Sequence, residues 1–193
     1  MRIRSDCRTD FTAVHMSGTR DVRGVRLIVL HDEEAPTARA AAEWFANPAS
    51  EGSAHLCVDA DECYRCLPDN VTPWAAANAN TIGFHIEQAG YASQSRHAWL
   101  ANMRLLRRSA FKAAQAGKRF GIPMRFVDAD GIAAGKRGVT THAEVSKWSA
   151  AHGLPGDHSH TDPGPNFPMK VWLGLAWTYR GTLGPRLGAR RHK

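Results

Sequence analysis

The chain has 193 residues, 43% hydrophobic and 22% charged, which is ordinary globular composition and enough for one buried core. No apolar run approaches the roughly 18 residues needed to span a membrane, and the N-terminus (Met1-Arg-Ile-Arg-Ser-Asp-Cys-Arg) lacks the apolar stretch of a secretory signal. The net charge of +7 favours anionic partners, but no nucleic-acid motif accompanies it, so specific nucleic-acid binding is set aside. Part of the charge lies in Arg104, Arg107, Arg108, Lys112, Lys118 and Arg119, read as a solvated helix face. Part lies in Arg186, Arg190, Arg191 and Lys193, read as a disordered tail.

In chain order, residues 1–24 are polar and irregular. Arg26-Leu-Ile-Val-Leu-His31 predicts a buried strand that ends in a polar residue. After the turn Asp32-Glu-Glu-Ala-Pro, Thr37 is placed to cap a helix that runs to Ala46 and stops at Asn47-Pro48. Residues 54–59 and 62–67 predict two short strands around a turn, and Ile82 to Ile86 a further strand. Trp99 to Arg119 carries Leu100, Met103, Leu106, Phe111 and Ala114 near helical spacing and ends at Gly121-Ile-Pro123. Met124 to Val127 is a short strand, 129–140 a Gly-rich loop, 150–168 a second loop, and Lys170 to Tyr179 a last helix. Strands that alternate with helices predict an α/β fold. Residues 1–24 are set apart as an extension, 25–180 as the functional domain and 181–193 as a basic tail.

Four cysteines, Cys7, Cys57, Cys63 and Cys66, leave three readings: plain thiols, one disulfide or a small metal site. Cys63-x-x-Cys66 is half of a zinc-ribbon pattern with no second half, which favours thiols or a disulfide.

Three residues stand where a sheet places its chemistry. His31 ends the first buried strand, His142 follows Gly138-Val-Thr-Thr141, and Asp162 sits in a loop rich in Gly, His and Pro. Two imidazoles and a carboxylate make a common catalytic zinc set that leaves one tetrahedral position open. Spacing alone does not establish such a site, because a single strand-end histidine is ordinarily just hydrogen-bonded.

Four segments in order resemble the amidase-2 family of N-acetylmuramoyl-L-alanine amidases, which includes phage endolysins and peptidoglycan recognition proteins. They are Ile28-Val-Leu-His31; Ser53-Ala-His-Leu56 with the later Pro73-Trp74; Asn80-Thr-Ile-Gly-Phe-His-Ile-Glu87 ending at Gly90; and Thr141-His142 with Asp162-Pro-Gly-Pro. The resemblance implies one domain with a central mixed β-sheet flanked by helices. It also implies one Zn2+ held by His31, His142 and Asp162, and hydrolysis of the bond between N-acetylmuramic acid and L-alanine in peptidoglycan.

By the same resemblance Glu87 matches the family's general base when the strand is anchored on Asn80 or Gly90. Anchoring on Ile82-Gly83 places His85 there instead, and the two residues share a strand face. His160 matches a position that stabilises the oxyanion. In a rival reading His158 or His160 takes the place of Asp162 as a ligand. Trp74, Asn78, Asn80 and His85 are assigned to the substrate groove, and His55 to a packed or substrate-facing position. Trp74-Ala-Ala-Ala77 departs from the family's Trp-His-Ala-Gly, so a substrate-side histidine is missing. The implied protein is a monomeric, phage-type lysin made in a host cytoplasm without a signal and acting on the wall after release, with no membrane insertion. A non-catalytic peptidoglycan-binding module of the same fold is the alternative. A zinc peptidase of the commonest kind is disfavoured by the lack of His-Glu-x-x-His.

Overall fold

A computed structural model describes residues 6–183. The basic tail residues Arg186, Arg190, Arg191 and Lys193 lie outside the described residues. Among the described residues there are seven strands: β1 (Met16–Thr19), β2 (Leu27–Asp32), β3 (Leu56–Val58), β4 (Cys63–Arg65), β5 (Val71–Pro73), β6 (Gly83–Gln88) and β7 (Gly138–Thr141). The main sheet has the order β4-β3-β6-β2-β7, and a second, two-stranded sheet pairs β1 with β5. Strands β3, β6, β2 and β7 are parallel and β4 is antiparallel to β3, so the main sheet is mixed, as expected.

Six α-helices of the described residues surround it: α1 (Ala38–Phe45), α2 (Arg96–Ala101), α3 (Met103–Phe120), α4 (Ala129–Ala133), α5 (His142–Ala151) and α6 (Met169–Thr182). Strand alternation divides the core. Ile28 and Leu30 of β2 and Phe84 and Ile86 of β6 pack with Leu105, Leu106 and Ala113 of α3 and Trp172 and Ala176 of α6. Leu27 and Val29 face the other way, toward Ala79, Ile132 and Val145.

Several local readings are corrected. The stretch 99–119 is two helices, because Asn102 leaves the helical region (φ −97°, ψ 54°) and its Oδ1 accepts from Leu105 N to start α3. Residues 124–127 do not form a strand; only Phe126 bridges Val139 after Pro123. Residues 129–140, expected as loop, hold α4, whose N-terminus is capped by Asp128, and the start of β7. Residues 16–19, expected as irregular, form β1. On α3, Arg108 and Lys112 are buried rather than solvated: Arg108 donates to Ala60 O, and burial beside Arg108 lowers the Lys112 pKa to about 8. A disulfide joins Cys7 to Cys63, which ties residue 7 to β4, while Cys57 and Cys66 are buried thiols.

Candidate metal centre and cleft

The parallel strands β2, β6 and β7 end side by side. His31 is in register with Glu87, and Leu30 with Thr141, so His31, Glu87 and His142 come to one rim of the sheet. Carboxyl ends of parallel strands are where open α/β sheets carry ligands. Thr141 caps α5 by accepting from Glu144 N, which fixes His142 as the first helical residue. Ala143 N donates to Asp162 O and draws the 157–165 loop onto the same rim.

There His31 Nδ1 lies 3.0 Å from Asp162 Oδ2, and His142 Nδ1 lies 3.1 Å from Asp162 Oδ1. One donor atom from each of His31, His142 and Asp162 falls within 4.8 Å of the others, a convergence that suits a metal ion. Glu87 Oε1 is 3.9 Å from His31 Nδ1. His160 stacks on His142 with ring centroids 3.9 Å apart, and its Nδ1 is 3.9 Å from Asp162 Oδ1. His31, Glu87, His142, His160 and Asp162 all line one open cleft of about 680 Å³.

The electrostatics follow from burial. Burial alone would raise Asp162, but hydrogen bonds from His142 and His31 outweigh it and hold the carboxyl well below its usual range. Burial pushes His142 down, against the pull of Asp162, which favours the neutral imidazole a metal requires. Glu87 is held well above the carboxylate range by burial, with Asp162, Glu33 and Asp32 adding like charge. Burial likewise raises Asp32 to about 7.

Behind His31 the bonding pattern fixes a tautomer. His85 Nε2 faces Ala79 O at 3.3 Å, and a carbonyl can only accept, so that nitrogen carries the proton. His85 Nδ1 is then an acceptor for His31 Nε2–H at 3.1 Å, so Nδ1, which here faces Asp162 Oδ2, is the His31 nitrogen that would give up its proton and coordinate a metal ion. Gly83 makes room for this ring: a Cβ there would lie 2.6 Å from His85 Nε2.

His85 is 0% exposed and sits behind His31 rather than in the cleft, so it is not a groove residue. Asn78 is also not in the cleft; its Nδ2 donates to Ser149 Oγ and Pro155 O. Asn80 does line the cleft, but its Oδ1 accepts from Ala75 N and Ala76 N and holds that wall in shape. Trp74 lines the cleft half-exposed, stacked on His15 and donating from Nε1 to Ser17 Oγ. His55 is buried, accepting from His85 N, and burial beside Arg20 holds it well below its usual pKa. Arg20 was not legible as a site-shaping residue; its guanidinium donates to Asn80 O and Gly83 O and braces the turn that covers His85.

The family profile described as N-acetylmuramoyl-L-alanine amidase matches residues 21–165. The chain belongs to this family. No curated protein sequence matches it. Among solved structures, the Staphylococcus aureus hydrolase AmiA in complex with its ligand is 19% identical, with a TM-score of 0.69 over 92% of this chain and 85% of that one. The PlyG catalytic domain is 12% identical, with a TM-score of 0.60 over 93% of this chain and 99% of that one. A mutant endolysin from Bacillus subtilis is 18% identical, with a TM-score of 0.57 over 89% and 96%. At these identities the likeness shows the fold: a single-domain mixed α/β sheet flanked by helices.

Proposed function

We propose that the protein is a zinc-dependent N-acetylmuramoyl-L-alanine amidase that separates the glycan from the stem peptide of peptidoglycan, in the manner of a phage endolysin. The observation that carries this reading is the convergence of His31, His142 and Asp162 within 4.8 Å at the floor of an open cleft, in a chain of the amidase family. The donor set fits zinc: two imidazole nitrogens and one ionised carboxylate are ligands that a catalytic zinc would take. A zinc ion in such a set polarises a substrate carbonyl and lowers the pKa of a coordinated water to near 7.

The remaining work falls to the side chains. Glu87 accepts the proton of the attacking water and returns it to the departing amine of L-alanine, a role suited to a carboxyl that burial holds well above the usual carboxylate range. His160, stacked on His142 and open to the cleft, donates to the developing oxyanion. Trp74 offers an apolar wall to the sugar or the peptide. The endolysin role is supported by the fold likeness to the Bacillus subtilis endolysin. The positive net charge would help hold the enzyme on an anionic wall.

The test is metal dependence. Protein stripped by chelation should bind one zinc per chain and regain cleavage of purified peptidoglycan on its return. His142→Ala should do neither. A stripped protein that cleaves as fast as the loaded one would overturn the reading.

A further inference from the structure

The cleft has a side chamber of about 450 Å³ between the end of β2 and α1. Its wall on one side is Asp32, Glu33, Glu34 and Glu87; on the other it is α1, with Trp44 and Phe45. It shares Asp32, Glu34, Phe45 and Glu87 with the main cleft, so the two spaces are continuous. Among the described residues, no lysine, arginine or histidine lines it.

Two of these carboxylates are incompletely satisfied. Asp32 is 7% exposed; its Oδ1 accepts from Glu34 N, but its buried Oδ2 has no hydrogen-bond partner. Glu33 Oε1 accepts from Val58 N, and its buried Oε2 also has none. Among the described residues, no basic side chain pairs with Asp32, Glu33 or Glu34 within 4.0 Å. Buried polar atoms are ordinarily satisfied, and an unpaired buried carboxylate oxygen is costly. With Asp162, five carboxyl groups surround the chamber and the adjoining triad.

The chamber does not have the form of a second metal site. Among the described residues, His31, His142 and Asp162 are the three-ligand group that converges, and Asp32, Glu33 and Glu34 form no such group. Dispersed carboxylates beside an aromatic ring suit a larger, singly charged cation with several N–H donors. Trp44, half exposed at the rim, supplies such a ring.

We infer that this chamber is a subsite for a primary ammonium group on the peptide half of the substrate, held by Asp32 and Glu33. This rests on the amidase reading, which places a peptide in the cleft next to Glu87. Two ammonium groups have the required chemistry: the side-chain amine of a diamino acid in the stem, and the new N-terminus released at L-alanine.

The test uses zinc-loaded full-length protein. One arm compares turnover of N-acetylmuramoyl-L-alanyl-γ-D-glutamyl-L-lysine with its side-chain amine free or acetylated. A second arm measures, by calorimetry, binding of the peptide L-alanyl-γ-D-glutamyl-L-lysine with its α-amine free or acetylated. Acetylation at the recognised amine should raise KM or Kd by about tenfold with little change in kcat. Which arm responds identifies the source. In the isosteric pair Asp32→Asn with Glu33→Gln this discrimination should disappear, and Trp44→Leu, a change at an exposed position, should weaken it. If neither acetylation matters to wild type, or if folded variants discriminate as well as wild type, the subsite does not exist. The calorimetric arm needs no turnover, so failure of the amidase reading and failure of the subsite are separable.

Discussion

The two faces of β2 and β6 are carried by the same two short strands yet answer to different rules. On one face Ile28, Leu30, Phe84 and Ile86 meet α3 and α6 in an apolar layer where only volume and shape matter. On the other, His31, His85 and Glu87 sit one residue out of phase, toward the strands' carboxyl ends, where His31 bonds His85 and Glu87 lies 3.9 Å from His31. The helix-side face lends rigidity, and the rim-side face spends it holding charged groups where water alone would disperse them. Gln88 links the two: its Nε2 donates to His31 O, and its Oε1 accepts from Ser109 Oγ, which in turn accepts from Trp172 Nε1. Mutations should therefore separate into those that cost activity without stability and those that do the reverse.

The largest separation is expected at Glu87. Glu87→Gln should lower kcat by about 10²–10⁴-fold, the usual worth of a positioned acid–base group, and leave the unfolding midpoint unchanged. A large loss of stability in parallel would mean that the rim also carries the fold. Leu106→Ala on the apolar face should do the opposite and cost about 2–5 kcal/mol in denaturant unfolding, with kcat per folded molecule preserved. Between the faces lies His85. His85→Ala should weaken zinc affinity by about 10–100-fold in chelator competition, because His31 loses the acceptor that fixes its tautomer. Unchanged affinity would make His85 simple core.

The smallest effect is expected on α3. Burial lowers Lys112 to about 8 from the ordinary lysine value of 10.5, so the unfolded chain binds more protons between those pH values and stability should rise with pH across that window. Lys112→Met should flatten the rise. The rise should be on the order of 1 kcal/mol, measurable by urea unfolding at about pH 7.5 and 10.5.

The sheet and the candidate triad were legible because their residues announce themselves. An apolar run ending in a polar residue marks a buried strand, and the ordered family segments joined His31 to His142 and Asp162 as a set. What sequence misjudged was depth. Period two puts His85 on the face of Glu87, but it lies two residues further from the rim, under the turn at 77–80, so burial and not alternation decides its role. Arg108 and Lys112 look solvated by composition, yet tertiary packing covers them. Elements held by single contacts were also hidden. Strand β1 is four exposed residues fixed by pairing with β5, and α4 is five residues started by one aspartate cap.

The most direct test of the central claim is digestion of purified peptidoglycan by zinc-loaded wild type and by Glu87→Gln, with the products read by mass spectrometry. The account predicts stem peptides that begin with a free L-alanine amine, released by wild type and not by the variant. Intact wall after exposure to wild type, or fragments cut within the glycan or elsewhere in the stem, would contradict it.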